Sequence, residues 1–80
     1  MPKLRILSGK EVVGIVSLFG FKLYSQTGSH IKMRRIVGQI IQVLVIPNHA
    51  ELKKGMTKAM FNQASEYISE EKLRPYFYTK

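Results

Sequence analysis

Along the chain, the spacing of apolar residues switches between helical and strand periods. Val12, Val13, Val16 and Phe19 recur at helical spacing, which predicts a helix over residues 9–19. Ser8-Gly9-Lys10-Glu11 has the Ser-x-x-Glu form of a capping box: the serine hydroxyl accepts from an early helix amide, and the glutamate reaches back to the cap. Gly20 supplies the stop. From Phe21 the period becomes two, with Phe21, Leu23 and Ser25 on one face of a strand and Lys22, Tyr24 and Gln26 on the other. Thr27-Gly28-Ser29 signals a turn. A second alternating stretch places His30, Lys32 and Arg34 on one side and Ile31 and Met33 on the other. Val37-Gly38-Gln39 permits another reversal. Ile40 to Ile46, rich in β-branched residues and closed by Pro47, is predicted as the third strand. Beyond the loop Pro47-Asn48-His49-Ala50, the residues Met56, Met60, Ala64 and Tyr67 mark a second helix, with Ala59 alongside. Ser69 to Leu73 predicts one more short helical turn, stopped before Pro75.

These elements predict an α+β fold, α-β-β-β-α, with a three-stranded antiparallel meander. Only the two helices are available to cover a sheet face, so the other face stays open. Burying His30, Lys32 and Arg34 under helices is prohibitive unless they are paired, so the basic set is expected on the open face. The expected organisation is a single domain over residues 1–80, with a core at about 4–66 and an extension at 69–80. A chain this short buries only roughly 60% of the surface it exposes when unfolded, so a working surface is expected to be shallow.

Charge narrows the choice of partner. Thirteen Lys and Arg stand against five acidic residues, for a net charge of +8. The acidic residues are Glu11, Glu51, Glu66, Glu70 and Glu71, so no carboxylate occurs between Val12 and Ala50. An uncompensated basic centre is what phosphate neutralisation by counterion release requires, and it favours a nucleic-acid partner. The absence of cysteine excludes disulfides, thiolate zinc fingers and thiol catalysis. The stretch Ile40 to Ile46 is far short of the roughly 20 residues that span a bilayer. Met1-Pro2-Lys3-Leu4-Arg5 lacks a signal-peptide apolar region. The protein is therefore expected to be cytoplasmic, with no membrane partner.

Few side chains can carry chemistry. His30 and His49 are the only groups whose ordinary titration lies near neutrality. Their neighbours supply too few ligands for a metal site, so neither metal nor cofactor is expected. His30 opens a strand beside Lys32 and Arg34. Phosphodiester cleavage needs a proton-transfer group near the 2′-oxygen and cations near the phosphate, and this set supplies both. His49 is a possible second acid/base group or a plain loop residue. Lys53, Lys54 and Lys58, near a helix start, are candidate phosphate anchors or an ordinary solvated face. Tyr24 either stacks on a base or pairs across strands.

Several segments together resemble one family. Leu7-Ser8-Gly9-Lys10-Glu11-Val12, Gly20-Phe21, Gln26-Thr27-Gly28-Ser29-His30-Ile31-Lys32 and Ile46-Pro47-Asn48-His49-Ala50-Glu51-Leu52, followed by Lys54-Gly55 and Gln63-Ala64, resemble the HicA (YcfA-like) toxins over about residues 4–66. The resemblance implies a double-stranded-RNA-binding-domain-like fold, metal-independent mRNA cleavage as an endoribonuclease, and neutralisation by a HicB-type antitoxin. It maps the family's catalytic histidine onto His30. From charge and position, Lys32, Arg34, Lys53, Lys54 and Lys58 are the residues expected to hold the RNA phosphates, with Ser29 adding a hydrogen bond. Ile31 departs from a family motif that often has a histidine there. Two other readings fit the basic surface: a non-catalytic RNA-binding module, and an antitoxin-binding protein that has lost activity.

Overall fold

The computed structural model describes residues 2–79 and runs α1 (Gly9–Ser17), β1 (Lys22–Thr27), β2 (His30–Val37), β3 (Ile40–Pro47), α2 (Lys54–Ala64) and α3 (Glu70–Phe77). The capping box forms as its sequence predicts. The Glu11 amide donates to Ser8 Oγ at 3.0 Å, and the Ser8 amide donates to Glu11 Oε1 at 2.8 Å. The helix stops at Ser17, short of the predicted Phe19, and the chain leaves through Leu18 and Phe19 to Gly20 at φ 94°. Its buried face is Val12, Ile15 and Val16, with Val13 and Phe19 only half-buried.

The sheet is a meander in the order β1-β2-β3, antiparallel throughout. Each hairpin has a two-residue loop, Gly28-Ser29 or Gly38-Gln39, whose glycine has φ 58° or 61°. A positive φ at the first loop position fits a type II′ turn, which glycine adopts without steric cost.

Pairing across β2 sets the two faces. Ile31, Met33, Leu44 and Ile46 form adjacent cross-strand pairs and are all buried. α1 and α2 pack on that face, mainly against β3. The alternation expected for β1 does not survive, because a bulge lies between Leu23 and Ser25. An extra residue flips the side-chain parity downstream. Ser25 therefore pairs with Lys32, and Gln26 pairs with Ile31, the reverse of the expected faces. Leu23 pairs with the buried Met33 yet is 64% exposed, since the helices lie over β3 and leave β1 at the margin.

The face under the helices contains one cation. Arg35 pairs with Gln42 at the far end of β2. Its Nε donates to Gln42 Oε1 at 2.8 Å, Nη1 to the Phe19 carbonyl at 2.8 Å and Nη2 to the Tyr67 carbonyl at 3.0 Å. The guanidinium also lies 4.8 Å from the centre of the Phe21 ring. Three hydrogen bonds and an aromatic face replace the water that the charge gives up.

The second helix buries Thr57, Phe61 and Ala64, while Met56 and Met60 are half-buried and Ala59 is exposed. The methionine stripe seen in the sequence is thus one edge of the buried face, whose centre is Phe61. Gln63 projects from α2 to the sheet, where its Oε1 accepts from the Val45 amide at 2.9 Å. That amide points away from β2. In an antiparallel strand the residues spaced by two share this direction, so Ile41 and Val43 present their backbone to the same edge.

α3 continues through Pro75 and does not stop before it. Proline removes one helical hydrogen bond and crowds the preceding turn. Leu73 and Phe77, four residues apart on one face, are fully buried in the core and outweigh that loss. The Phe77 and Phe61 rings meet edge to face at 5.4 Å. After α3 the chain pairs with the N-terminal segment. A bridge joins Leu4 and Tyr78, the Arg5 amide donates to the Phe77 carbonyl at 2.8 Å, and the Thr79 amide donates to the Lys3 carbonyl at 2.7 Å.

Candidate functional site

His30 is the first residue of β2, directly after the Gly28-Ser29 turn. It pairs with Thr27 on one side and Pro47 on the other, and it is exposed. Lys32 and Arg34 follow at the period of two, so they project from the same face. That face is the uncovered one, because Ile31 and Met33 between them enter the core. Lys32 is exposed. Arg34 is half-buried, with its guanidinium carbon 4.2 Å from the centre of the Tyr24 ring. Tyr24 therefore takes the cross-strand role, with its partner a cation, and holds the guanidinium against the sheet.

The turn carrying His30 is anchored by backbone. The Asn48 amide donates to the Ser29 carbonyl at 2.6 Å, and the Gly9 amide donates to the His49 carbonyl at 2.9 Å. The start of α1, the loop after β3 and the His30 turn thus form one connected unit. Gly9 makes this possible: a Cβ there would collide with the Pro47 carbonyl oxygen and the Asn48 backbone. The His49 side chain is exposed on this loop. Among the described residues no hydrogen bond joins the two imidazoles.

Lys53, Lys54 and Lys58 occupy the N-cap, first residue and second turn of α2. They do not join the His30 face. They line a separate open groove with Lys3 and Arg5, which sequence alone did not group with them. Their alternation in Lys3-Leu4-Arg5 was the available signal, since a strand-like pairing sends both to one side. Among the described residues no three His, Asp or Glu side chains come together as metal ligands. Among them, too, no helix is long and apolar enough to cross a membrane.

The opposite end of the open sheet is apolar. Ile36, Ile41 and Val43 are exposed there, beside Tyr24, while Leu23, Val37 and Ile40 are exposed on the other face, where the helices do not reach. An exposed apolar end of this kind suits an interaction surface.

The family model describing the HicA toxin of bacterial toxin–antitoxin systems matches residues 9–65, well over half of the chain. The chain belongs to the HicA toxin family. It is accordingly a toxin of a toxin–antitoxin system, with a cognate antitoxin as partner. The matched span runs from the start of α1 to the end of α2, so it contains the His30 face. The HicA match leaves out α3 and the N-terminal segment paired to it. No curated protein and no solved structure matches the chain.

Proposed function

We propose that this HicA-family toxin is an endoribonuclease that cleaves mRNA without a metal ion, with His30 as the proton-transfer group. The observation that carries the reading is the position of His30. It is an exposed imidazole at the head of β2, in line with Lys32 and Arg34 on the uncovered sheet face.

RNA supplies its own nucleophile. The 2′-oxygen loses its proton and attacks the adjacent phosphorus, the phosphorus–5′-oxygen bond breaks, and the leaving 5′-oxygen gains a proton. His30 serves one of these two proton transfers. Lys32 and Arg34 hold the phosphate and offset the charge that builds on its oxygens. Ser29, in the turn before His30, offers a hydroxyl to the same phosphate. Lys53, Lys54 and Lys58 take phosphates farther along the strand, and His49 stands on the adjoining loop as an auxiliary group. Tyr24 acts through Arg34, whose guanidinium it fixes. We infer a HicB-type antitoxin as the neutralising partner. The exposed apolar end beside Lys22 and Arg34 suits a partner with an apolar centre and carboxylates at its rim.

The test is incubation of RNA with the wild-type chain and with His30→Ala, both in chelator. The expected result is cleavage by the wild type and loss of about 10²–10⁴-fold in rate in the variant. Cleavage at the wild-type rate by a folded His30→Ala chain removes the assignment. RNA bound but left intact by the wild type in chelator points instead to a non-catalytic RNA-binding module.

A further inference from the structure

The strongest charge concentration away from the sheet face is the groove between the N-terminal segment and the start of α2, with a volume of about 950 Å³. Lys3 and Arg5 stand on one wall and Lys53, Lys54 and Lys58 on the other, with Glu51 as the one carboxylate among the described residues of the lining. Pro2, Leu4, Ile6 and Leu52 give the lining its apolar part.

Both walls are fixed by backbone. The Leu52 amide donates to the Leu7 carbonyl at 2.8 Å, which ties the approach to α2 to the N-terminal segment. On the other side that segment is held by Tyr78 and Thr79 through the pairing already described. Two of the cationic heads are also positioned by the C-terminal extension. Arg5 Nη1 donates to the Tyr76 carbonyl at 2.9 Å, and Lys58 Nζ donates to the Tyr78 hydroxyl at 3.0 Å. Lys3, Arg5, Tyr76 and Tyr78 all lie outside the family-matched residues 9–65.

Like charges crowded around one trench repel one another, and a polyanion threaded between them relieves that repulsion. Five cations spread over two walls suit a series of phosphates better than a single anion. The groove lies one loop away from the proposed cleavage site. The loop after β3 begins at Asn48, bonded to the Ser29 turn, and ends at Leu52 on the groove.

We propose that the groove holds the phosphodiester backbone of the RNA strand leading away from His30, with Lys3 and Arg5 as phosphate contacts supplied by the terminal pairing. This rests on the RNA reading above. The extension after α2 is then part of the binding apparatus, through the residues it positions.

The test measures binding of a 2′-O-methyl RNA strand, which cannot be cleaved, to the full chain over a salt series. The wild type is compared with Lys3→Gln/Arg5→Gln, with Lys3→Gln alone and with Arg5→Lys. Removing two phosphate contacts is expected to lower the salt slope by about 1.4, at about 0.7 per contact for a single strand, and to weaken binding throughout. Lys3→Gln alone, which disturbs no side-chain hydrogen bond given above, is expected to lose about half of that slope. Arg5→Lys keeps the charge and is expected to keep the slope. An unchanged slope in both Gln variants, with the wild type still binding, overturns the groove and leaves the His30 reading intact. Failure of the wild type to bind RNA at any salt overturns both.

Discussion

The Asn48 amide and the Ser29 carbonyl are joined at 2.6 Å, one step beyond the last cross-strand pair, His30 with Pro47. This bond carries the sheet's pairing past the end of β3 into a loop, so the imidazole stands on a turn that is fastened on both sides. Gly9 bonds to the next residue of that loop, His49, and completes the brace.

Gly9→Ala tests the brace. The added methyl meets the Pro47 carbonyl, and overpacking of this kind costs about 1–3 kcal/mol. The melting temperature is expected to fall by roughly 4–8 °C per kcal/mol. Cleavage by the protein that remains folded is expected to fall too, because the strain is relieved by moving the loop beside His30. Thermal unfolding and an RNA cleavage assay below the transition check the two effects.

Phe77→Ala tests whether the last helix belongs to the core. The side chain is fully buried against Phe61, and truncating such a phenylalanine costs about 3–5 kcal/mol. A small domain has about 5–15 kcal/mol in total, so the variant is expected to unfold at much lower urea than the wild type. A midpoint equal to the wild type would show that α3 adds nothing to stability.

Arg35 and Lys32 separate structural charge from binding charge. Arg35→Met removes three hydrogen bonds, including those to the Phe19 and Tyr67 carbonyls, and is expected to lower stability by about 2–4 kcal/mol. The salt slope of RNA binding by the folded fraction is expected to stay as in the wild type. Lys32→Gln is expected to do the reverse: an unchanged melting temperature, and a slope reduced by about 0.7. Fluorescence anisotropy at several salt concentrations distinguishes them. Arg35→Lys is not expected to restore stability, since an ammonium cannot replace the three-way guanidinium fork.

Arg35 also marks where sequence reading stops. Local signals carried well: Ser8 and Glu11 set the helix start, Gly28 and Gly38 set both hairpins, and the period of two in β2 placed His30, Lys32 and Arg34 on one face. Each of those features is decided within a few residues. Arg35 depends on acceptors from Phe19, Gln42 and Tyr67, which only the fold assembles. The β1 bulge is of the same kind, because nothing in Leu23-Tyr24-Ser25 announces an extra residue against β2. Pro75 read as a terminator because its local cost is visible and the burial of Leu73 and Phe77 is not. In the candidate site, the His30 face was legible, whereas the groove depends on two chain ends meeting and so left only the alternation of Lys3 and Arg5 as a trace.

Gln63 has a consequence for how the toxin keeps to itself. Its single carbonyl occupies the Val45 amide and so seals one stretch of an outer strand against recruitment of another chain. Toward Ile41 and Val43 the same margin is exposed and apolar, with no such plug among the described residues. Removing the glutamine amide would also free the Val45 N–H, and so lengthen the stretch of β3 with which a foreign strand could pair.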